Sequence, residues 1–392
     1  MTHRERILAA ICGEVPDQLP WVPRLEFWHR ARLRQGTLPA ELKSLTLPEV
    51  AKRLGVGCYD SIPDFTNIVG PIDMIDRTLG VYNLPHLPYR VILEDVDRRV
   101  TQIGRETVVE YHTPAGSIRT ASMFTEEMLD AGASTAWISQ HAIREPQDFD
   151  VVSHIFSHMK VEPNFDGYLA RRAEVGEQGL AVAFIQGAAS PIQLIMKELM
   201  VLEEFFYAFH DYPEKVLHLA EQIEPYFQQI QAIGADSPAE VLLLGANYDD
   251  SITHPAFFEK HILPSLSRFA PALHAKGKFL MTHTDGENQK LFPLYHRAAF
   301  DIADSVCPYP MTRCTLEETR ANFGEHVTIW GGIPSTLLCL SSTPEDEFRR
   351  SVNETIERYA GQSHFVLGVS DMVTADCEWN RLQYITDKIG SL

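Results

Sequence analysis

The sequence predicts an α/β protein of the (β/α)8 barrel class. In the C-terminal half, short apolar runs alternate with longer helical patterns, and each run ends in Gly or polar residues. Near-continuous apolar strands alternating with helices imply a parallel sheet covered by helices. Six clear strand–helix units and two weaker strands make eight. No GxGxxG or P-loop follows any strand to favour a doubly wound open sheet.

Taken in order, MTHRERILAAICG predicts an amphipathic helix starting near Thr2, within an N-terminal helical extension over 1–18. It lacks the long apolar core and small-residue cleavage site of a signal peptide. The two weaker strands are LPWVPRLEF (19–27) and GCYDSIPD (57–64). RVTQIGRETVVEYHTPAGSIRTASMF then alternates apolar and polar residues about the turn PAGS, which predicts an antiparallel β-hairpin near 95–125. It reads as an insertion between the second and third barrel strands, near the rim. The six clear strands are LAVAFIQGA (180–188), EVLLLGANYDD (240–250), KFLMTHTDG (278–286), FDIADSVCP (300–308), HVTIWGGIP (326–334) and HFVLGVSD (364–371). The helix of TPEDEFRRSVNETIERYAG is predicted with Thr343 as N-cap, Pro344 at its first position and Gly361 past its end. The whole chain, 1–392, reads as a single barrel domain.

The bulk numbers exclude more than they identify. The 392 residues are 45% hydrophobic and 22% charged, which is ordinary globular composition. A formal charge of −19 argues against nucleic acid and against an anionic membrane surface, both of which select for Lys/Arg excess. No apolar run approaches the roughly 20 residues of a membrane helix. The six cysteines include no CxxC pair, so a reducing cytoplasm is the expected setting. The sequence allows a homodimer.

Residues at strand C-termini converge on one face of such a barrel. Here they are Arg24 and Glu26, Asp60 and Asp64, Gln186, Asn247 with Asp249 and Asp250, His283 with Asp285, Cys307, Gly331-Gly332, and Ser370-Asp371. Strand alternation puts His283 and Asp285 on the same face, and Cys307 ends the next strand. An imidazole, a thiolate and carboxylates at an open mouth suit Zn²⁺ rather than Mg²⁺ or Ca²⁺. Singly, each residue has a plainer reading. A lone His is usually just hydrogen-bonded, Cys307 is a small buried hydrophobe, Asp249-Asp250 caps a helix or holds a loop, and Cys377 is a core cysteine.

The order of blocks resembles the uroporphyrinogen decarboxylase superfamily over nearly the whole chain. The blocks are the hairpin with TPAGS, then LLLGANYDD, ALHAKGKFLMTHTDG, DSVCPYPMTRCTLEE, GEHVTIWGGIPS and FVLGVSDMV. The resemblance implies the same barrel and two kinds of activity. Its decarboxylases carry an Arg-rich early segment, and WVPRLEFWHRAR, with Arg24, Arg30 and Arg32, lacks that pattern. Its methylcobalamin:coenzyme M methyltransferases carry His-x-Cys and a later Cys. Here those places hold His283-Thr284-Asp285 and Ser370-Asp371. Cobalamin-independent methionine synthases, a related family, place a further zinc ligand near the position of Cys307.

The implied metal set is therefore His283, Asp285 and Cys307, with Asp371, Cys377 or substrate as fourth ligand. Replacing thiolates by carboxylate and imidazole leaves a harder, more Lewis-acidic zinc. The expectation is methyl transfer from a methoxylated small molecule, an aryl methyl ether first, to a corrinoid (cobalamin) carried by a separate protein. The DxHxxG segment of cobalamin-binding domains is absent from this sequence. Asn247, Asp249 and Asp371 are the catalytic candidates. Arg24, Asp60, Gln186 and Tyr248 are those for substrate, with Trp28, Tyr248 and Phe65 as aromatic walls. A metal-free decarboxylase using Asp60 or Asp249, a methylcobalamin:thiol methyltransferase, and a binding protein without catalysis are the alternatives.

Overall fold

The computed structural model describes residues 1–61 and 75–392; Asp64 and Phe65 lie outside the described residues. Its strands are β1 (Cys58–Ser61), β2 (Tyr89–Leu93), β3 (Asp97–Ile103), β4 (Glu106–Thr113), β5 (Gly116–Met123), β6 (Trp137–Gln140), β7 (Met159–Pro163), β8 (Gly179–Gln186), β9 (Val241–Ala246), β10 (Phe279–His283), β11 (Ile302–Val306), β12 (Thr328–Ile333) and β13 (Phe365–Val369). The order β1-β8-β9-β10-β11-β12-β13 forms one parallel sheet. Trp21 joins its two edges. The Val22 N–H donates to the Leu367 carbonyl at 2.9 Å, and the Gly57 N–H donates to the Trp21 carbonyl at 2.9 Å. The stretch expected as the first strand is thus a single bridge, and it completes the ring.

Burial explains the apolar runs. Every residue of β8, β11, β12 and β13 is buried, because one face fills the barrel and the other meets the surrounding helices. The opening helix His3–Ile11 starts near Thr2, as the sequence predicts, and Thr2 forms a full capping box with Glu5. In the helix Glu345–Tyr359 the N-cap is Pro344, one residue later than expected, and Gly361 follows in the left-handed region at φ 75°. A one-residue difference of this kind is within the ordinary variation of helix ends.

The insertion lies between β1 and β8, the second and third staves, where the sequence places it. It is larger than a hairpin. β3, β4, β5 and β6 form a four-stranded antiparallel sheet, and β2 pairs antiparallel with β7 beside it. The PAGS turn closes β4 on β5, with Thr113 opposite Gly116. β6 escapes the alternation rule because it has only four residues, Trp137–Gln140, of mixed exposure.

Three irregularities sit toward the C-terminal ends of barrel strands. Register slips between Phe184 and Gln186, between Met281 and His283, and between Ala303 and Val306. Bulges of this kind re-aim side chains next to functional sites. At the last, Ser305 adopts φ 58°. Opposite the next residue, Val306, lies Gly331 at φ 137°, where a Cβ would lie 2.6 Å from the Val306 carbonyl oxygen. Gly331 therefore lets β12 close against the kinked end of β11.

Candidate functional site

His283, the last residue of β10, is buried and turned into the barrel. Its Nδ1 lies 2.7 Å from Asp304 Oδ2 on β11, and its Nε2 lies 3.4 Å from Asp371 Oδ1 just past β13. Asp371 also meets the guanidinium of Arg24 at 3.3 Å, and the same Arg24 nitrogen donates to Ser305 Oγ at 3.2 Å. Next to this group the Cys307 thiol donates to Asp285 Oδ1 at 3.1 Å and to the Ser305 carbonyl at 3.3 Å. The Asn247 amide donates to Asp285 Oδ2 at 3.4 Å, from a backbone at φ 54°. These residues come from the C-terminal ends of β9, β10, β11 and β13 and from the turn after Trp21.

The electrostatics follow from burying so many charges together. Burial alone would discharge His283. The hydrogen bond to Asp304 and the charges of Asp304 and Asp371 outweigh it and push the imidazole up to about 9. Burial also opposes the Asp304 charge, but His283 first, then Arg24 and Tyr59, hold its carboxyl below the usual range. Burial raises Asp371 above it, with Asp285 and Asp304 adding repulsion and Arg24 and His283 opposing. Burial, then the Asp285 carboxylate, holds the Cys307 thiol far above its ordinary value. Together these interactions favour the charged form of the imidazole and disfavour the thiolate.

Of the three expected metal ligands, Asp285 and Cys307 touch each other, while His283 faces Asp371. Two sets of His, Cys, Asp or Glu among the described residues have ligand atoms all within 4.8 Å of one another, and neither contains this trio. One is Cys339, Asp376 and Cys377, in which the two sulfurs are 3.7 Å apart. Cys377 is thus turned to Cys339 rather than to His283.

The donor types gathered at the mouth, imidazole, thiol and carboxylate, are ones that zinc takes. A metal-bound imidazole characteristically gives its other ring nitrogen to a carboxylate. His283 does this through Nδ1, leaving Nε2 beside Asp371. Asp304 Oδ1 is buried with no hydrogen-bond partner among the described residues, so this corner carries more negative charge than its hydrogen bonds satisfy.

Several candidates lie elsewhere. Strand alternation sends Tyr59 inward, where its hydroxyl meets Asp304 Oδ2 at 3.3 Å and its ring packs on Trp330. Asp60 therefore points outward. Both its oxygens bind Arg171, at 2.8 and 2.9 Å, and it lines a side cavity of about 200 Å³ with Glu26 and Cys58. Gln186 is buried and fully engaged. It donates to the Gly80 carbonyl and the Tyr226 hydroxyl and accepts from the Gly187 and Ala188 amides. Tyr248 bonds Thr282 behind the strands at 2.7 Å and packs on Phe258. Asp249 accepts from the Ser251 and Glu287 backbone, and Asp250 from the Lys290 amide; both hold loops. Trp28 stacks on Trp379 in the core rather than lining the mouth.

Sequence reasoning missed Asp304, Ser305 and Tyr59. The signal for Asp304 was there: a carboxylate inside the apolar run FDIADSVCP must be paired when buried.

The family profile described as uroporphyrinogen decarboxylase (URO-D) matches residues 130–390. The chain belongs to the uroporphyrinogen decarboxylase family. None of the curated proteins matches its sequence. Among solved structures, a methyltransferase from Methanosarcina mazei is 13% identical, covers 100% of this chain and 99% of its own, and superposes with a TM-score of 0.54. A B12-independent methionine synthase from Shewanella sp. W3-18-1, solved with selenomethionine, is 10% identical over 76% of this chain and 75% of its own, with a TM-score of 0.32. The methyltransferase likeness shows that this family member shares its barrel over the full length. No helix among the described residues is long and apolar enough to cross a membrane.

Proposed function

We propose that this chain is a zinc-dependent methyltransferase that moves a methyl group from a methoxylated small molecule to the cobalt of a corrinoid carried by a partner protein. One observation carries the reading. The barrel mouth gathers an imidazole oriented by a carboxylate, a thiol and two further carboxylates: His283 on Asp304, then Cys307, Asp285 and Asp371. Family membership and the shared barrel support it.

His283, Cys307 and either Asp285 or Asp371 would hold the metal, leaving a fourth position for the substrate oxygen. When bound, zinc supplies a Lewis acid for the oxygen that leaves the methyl group. The chain's own residues do the rest. Asp304 fixes the ring so that Nε2 faces the mouth, and Nε2 must be free of a proton to ligate. Arg24, between Ser305 and Asp371, offsets the negative charge of the carboxylates. Asn247 restrains Asp285. A phenolate leaves more readily than an alkoxide, which favours aryl methyl ethers.

The test mixes the protein with reduced corrinoid protein, or with free cob(I)alamin at high concentration, and a panel of methoxylated aromatics. The cobalt absorbance should change only when a methoxylated substrate is present, and His283→Ala should abolish the change. Transfer seen only between methylcobalamin and a thiol would reverse the direction proposed.

A further inference from the structure

A second group of ligand-type side chains lies away from the barrel mouth, where the turn between β2 and β3 meets the end of the helix Asp148–Ser157. Asp95, His154 and His158 each bring one ligand atom to within 4.8 Å of the others. The i,i+4 spacing puts both imidazoles on one face of the helix end. Their rings stack at 4.0 Å with planes 21° apart.

Three features set this group apart from an ordinary surface cluster. The Nδ1 of His158 lies 2.8 Å from the His154 carbonyl oxygen. The Ser157 hydroxyl, 3.1 Å from the same Nδ1, donates to that carbonyl at 3.0 Å; a hydrogen on Nδ1 of neutral His158, leaving the Nε2 lone pair free, satisfies all three contacts. That is the backbone support a metal-bound histidine ordinarily has. Second, His154 Nε2 is buried without a hydrogen-bond partner among the described residues; it stands 3.6 Å from Asp95 Oδ2, too far for a hydrogen bond. Third, the turn is tied to the helix end. The Glu94 N–H donates to the His158 carbonyl at 3.0 Å, one step beyond the Leu93–Met159 pair that ends the β2–β7 ladder, and Asp95 holds φ 55°.

We infer that Asp95, His154 and His158 form a site for a divalent transition metal of the zinc class. Two imidazoles and one carboxylate favour Zn²⁺, Ni²⁺ or Cu²⁺ over Mg²⁺ and Ca²⁺. Ring nitrogens on a tetrahedral zinc stand about 3.3 Å apart, given bonds of about 2.0–2.1 Å. The three donors now lie within 4.8 Å of one another, so metal binding closes a short remaining gap. The bound metal pins the start of the insertion sheet to the helix and to β7. It needs no residue of the barrel mouth.

Long-range ¹H–¹⁵N spectra of histidine-labelled protein test this during titration with ZnCl₂. The His158 Nε2 and one nitrogen of His154 should move to the metal-bound shift at one equivalent beyond any metal taken by the mouth or by Cys339 and Cys377. The turn amides around Glu94 should gain protection from hydrogen exchange. His154→Gln and His158→Gln should each weaken binding at least tenfold, Asp95→Asn should weaken it several-fold, and Cys307→Ser should leave it unchanged. Imidazole signals that stay in place at millimolar zinc would overturn the inference, as would equal affinity in the double His154→Gln/His158→Gln variant. The spectra of the unmodified protein decide the matter even where a variant folds poorly.

Discussion

Two halves of one barrel rim treat their polar residues in opposite ways. At the ends of β8 and β9, Gln186 and Asp249 have hydrogen bonds that hold backbone and loops, and Tyr248 bonds the buried Thr282 hydroxyl. At the ends of β10, β11 and β13, four charged groups and a thiol crowd together, and Asp304 Oδ1 has no partner among the described residues. Polar groups whose bonding is complete build the scaffold. Groups whose bonding is incomplete, oriented and buried are the ones left to do chemistry.

The largest effect expected from this contrast is at His283. Replacing it with Ala leaves the buried Asp304 carboxylate without its cation, which costs about 3–5 kcal/mol. Denaturant melts should show that loss, and bound zinc and methyl transfer should disappear with it. A variant as stable as the parent would mean that the pair is not formed.

Next in size is a pH effect on metal-free protein. The folded-state pKa of His283, about 9, lies above its ordinary 6.5. Its pairing therefore stabilises the fold fully below about pH 6.5 and fades as pH rises toward 9. The stability at stake is about 3 kcal/mol. Zinc affinity should rise over the same window, because the metal competes with that proton. Stability flat across the window, or equal loss in His283→Gln, would break the assignment.

Gln186→Ala should cost less, about 1–3 kcal/mol for the abandoned amides and carbonyl, and should leave zinc content untouched. Loss of zinc in that variant would erase the distinction between the two halves. The smallest expectation is no effect at all: anaerobic incubation with uroporphyrinogen should release no CO₂ above background. A polycarboxylate needs several guanidinium partners, and Arg24 is already committed to Asp371 and Ser305. Decarboxylation at an ordinary enzymatic rate would restore the family's other chemistry.

Much of the fold was legible because buried parallel strands write themselves as apolar runs, from LAVAFIQGA to HFVLGVSD. The first stave was harder to read, since Trp21 contributes a single bridge set by its neighbours rather than by its own pattern. At the site, His283, Asp285 and Cys307 were legible as polar residues ending apolar runs. Two things were not. Period-two alternation decides that Tyr59 faces the mouth and Asp60 faces Arg171, yet the phase of that alternation depends on the strand's partners. The bulge at Ser305 shifts the end of β11 and is fixed by the close approach of Gly331, a tertiary fact.

Zinc K-edge X-ray absorption on protein washed with a mild chelator tests the central claim most directly, because the candidate centres differ in sulfur count. A metal at the barrel mouth should show one sulfur at about 2.3 Å, with nitrogen and oxygen at about 2.0–2.2 Å for the rest, and should lose that sulfur in Cys307→Ser. Two sulfurs would place the ion at Cys339 and Cys377, and none would place it away from Cys307; either result would contradict the account.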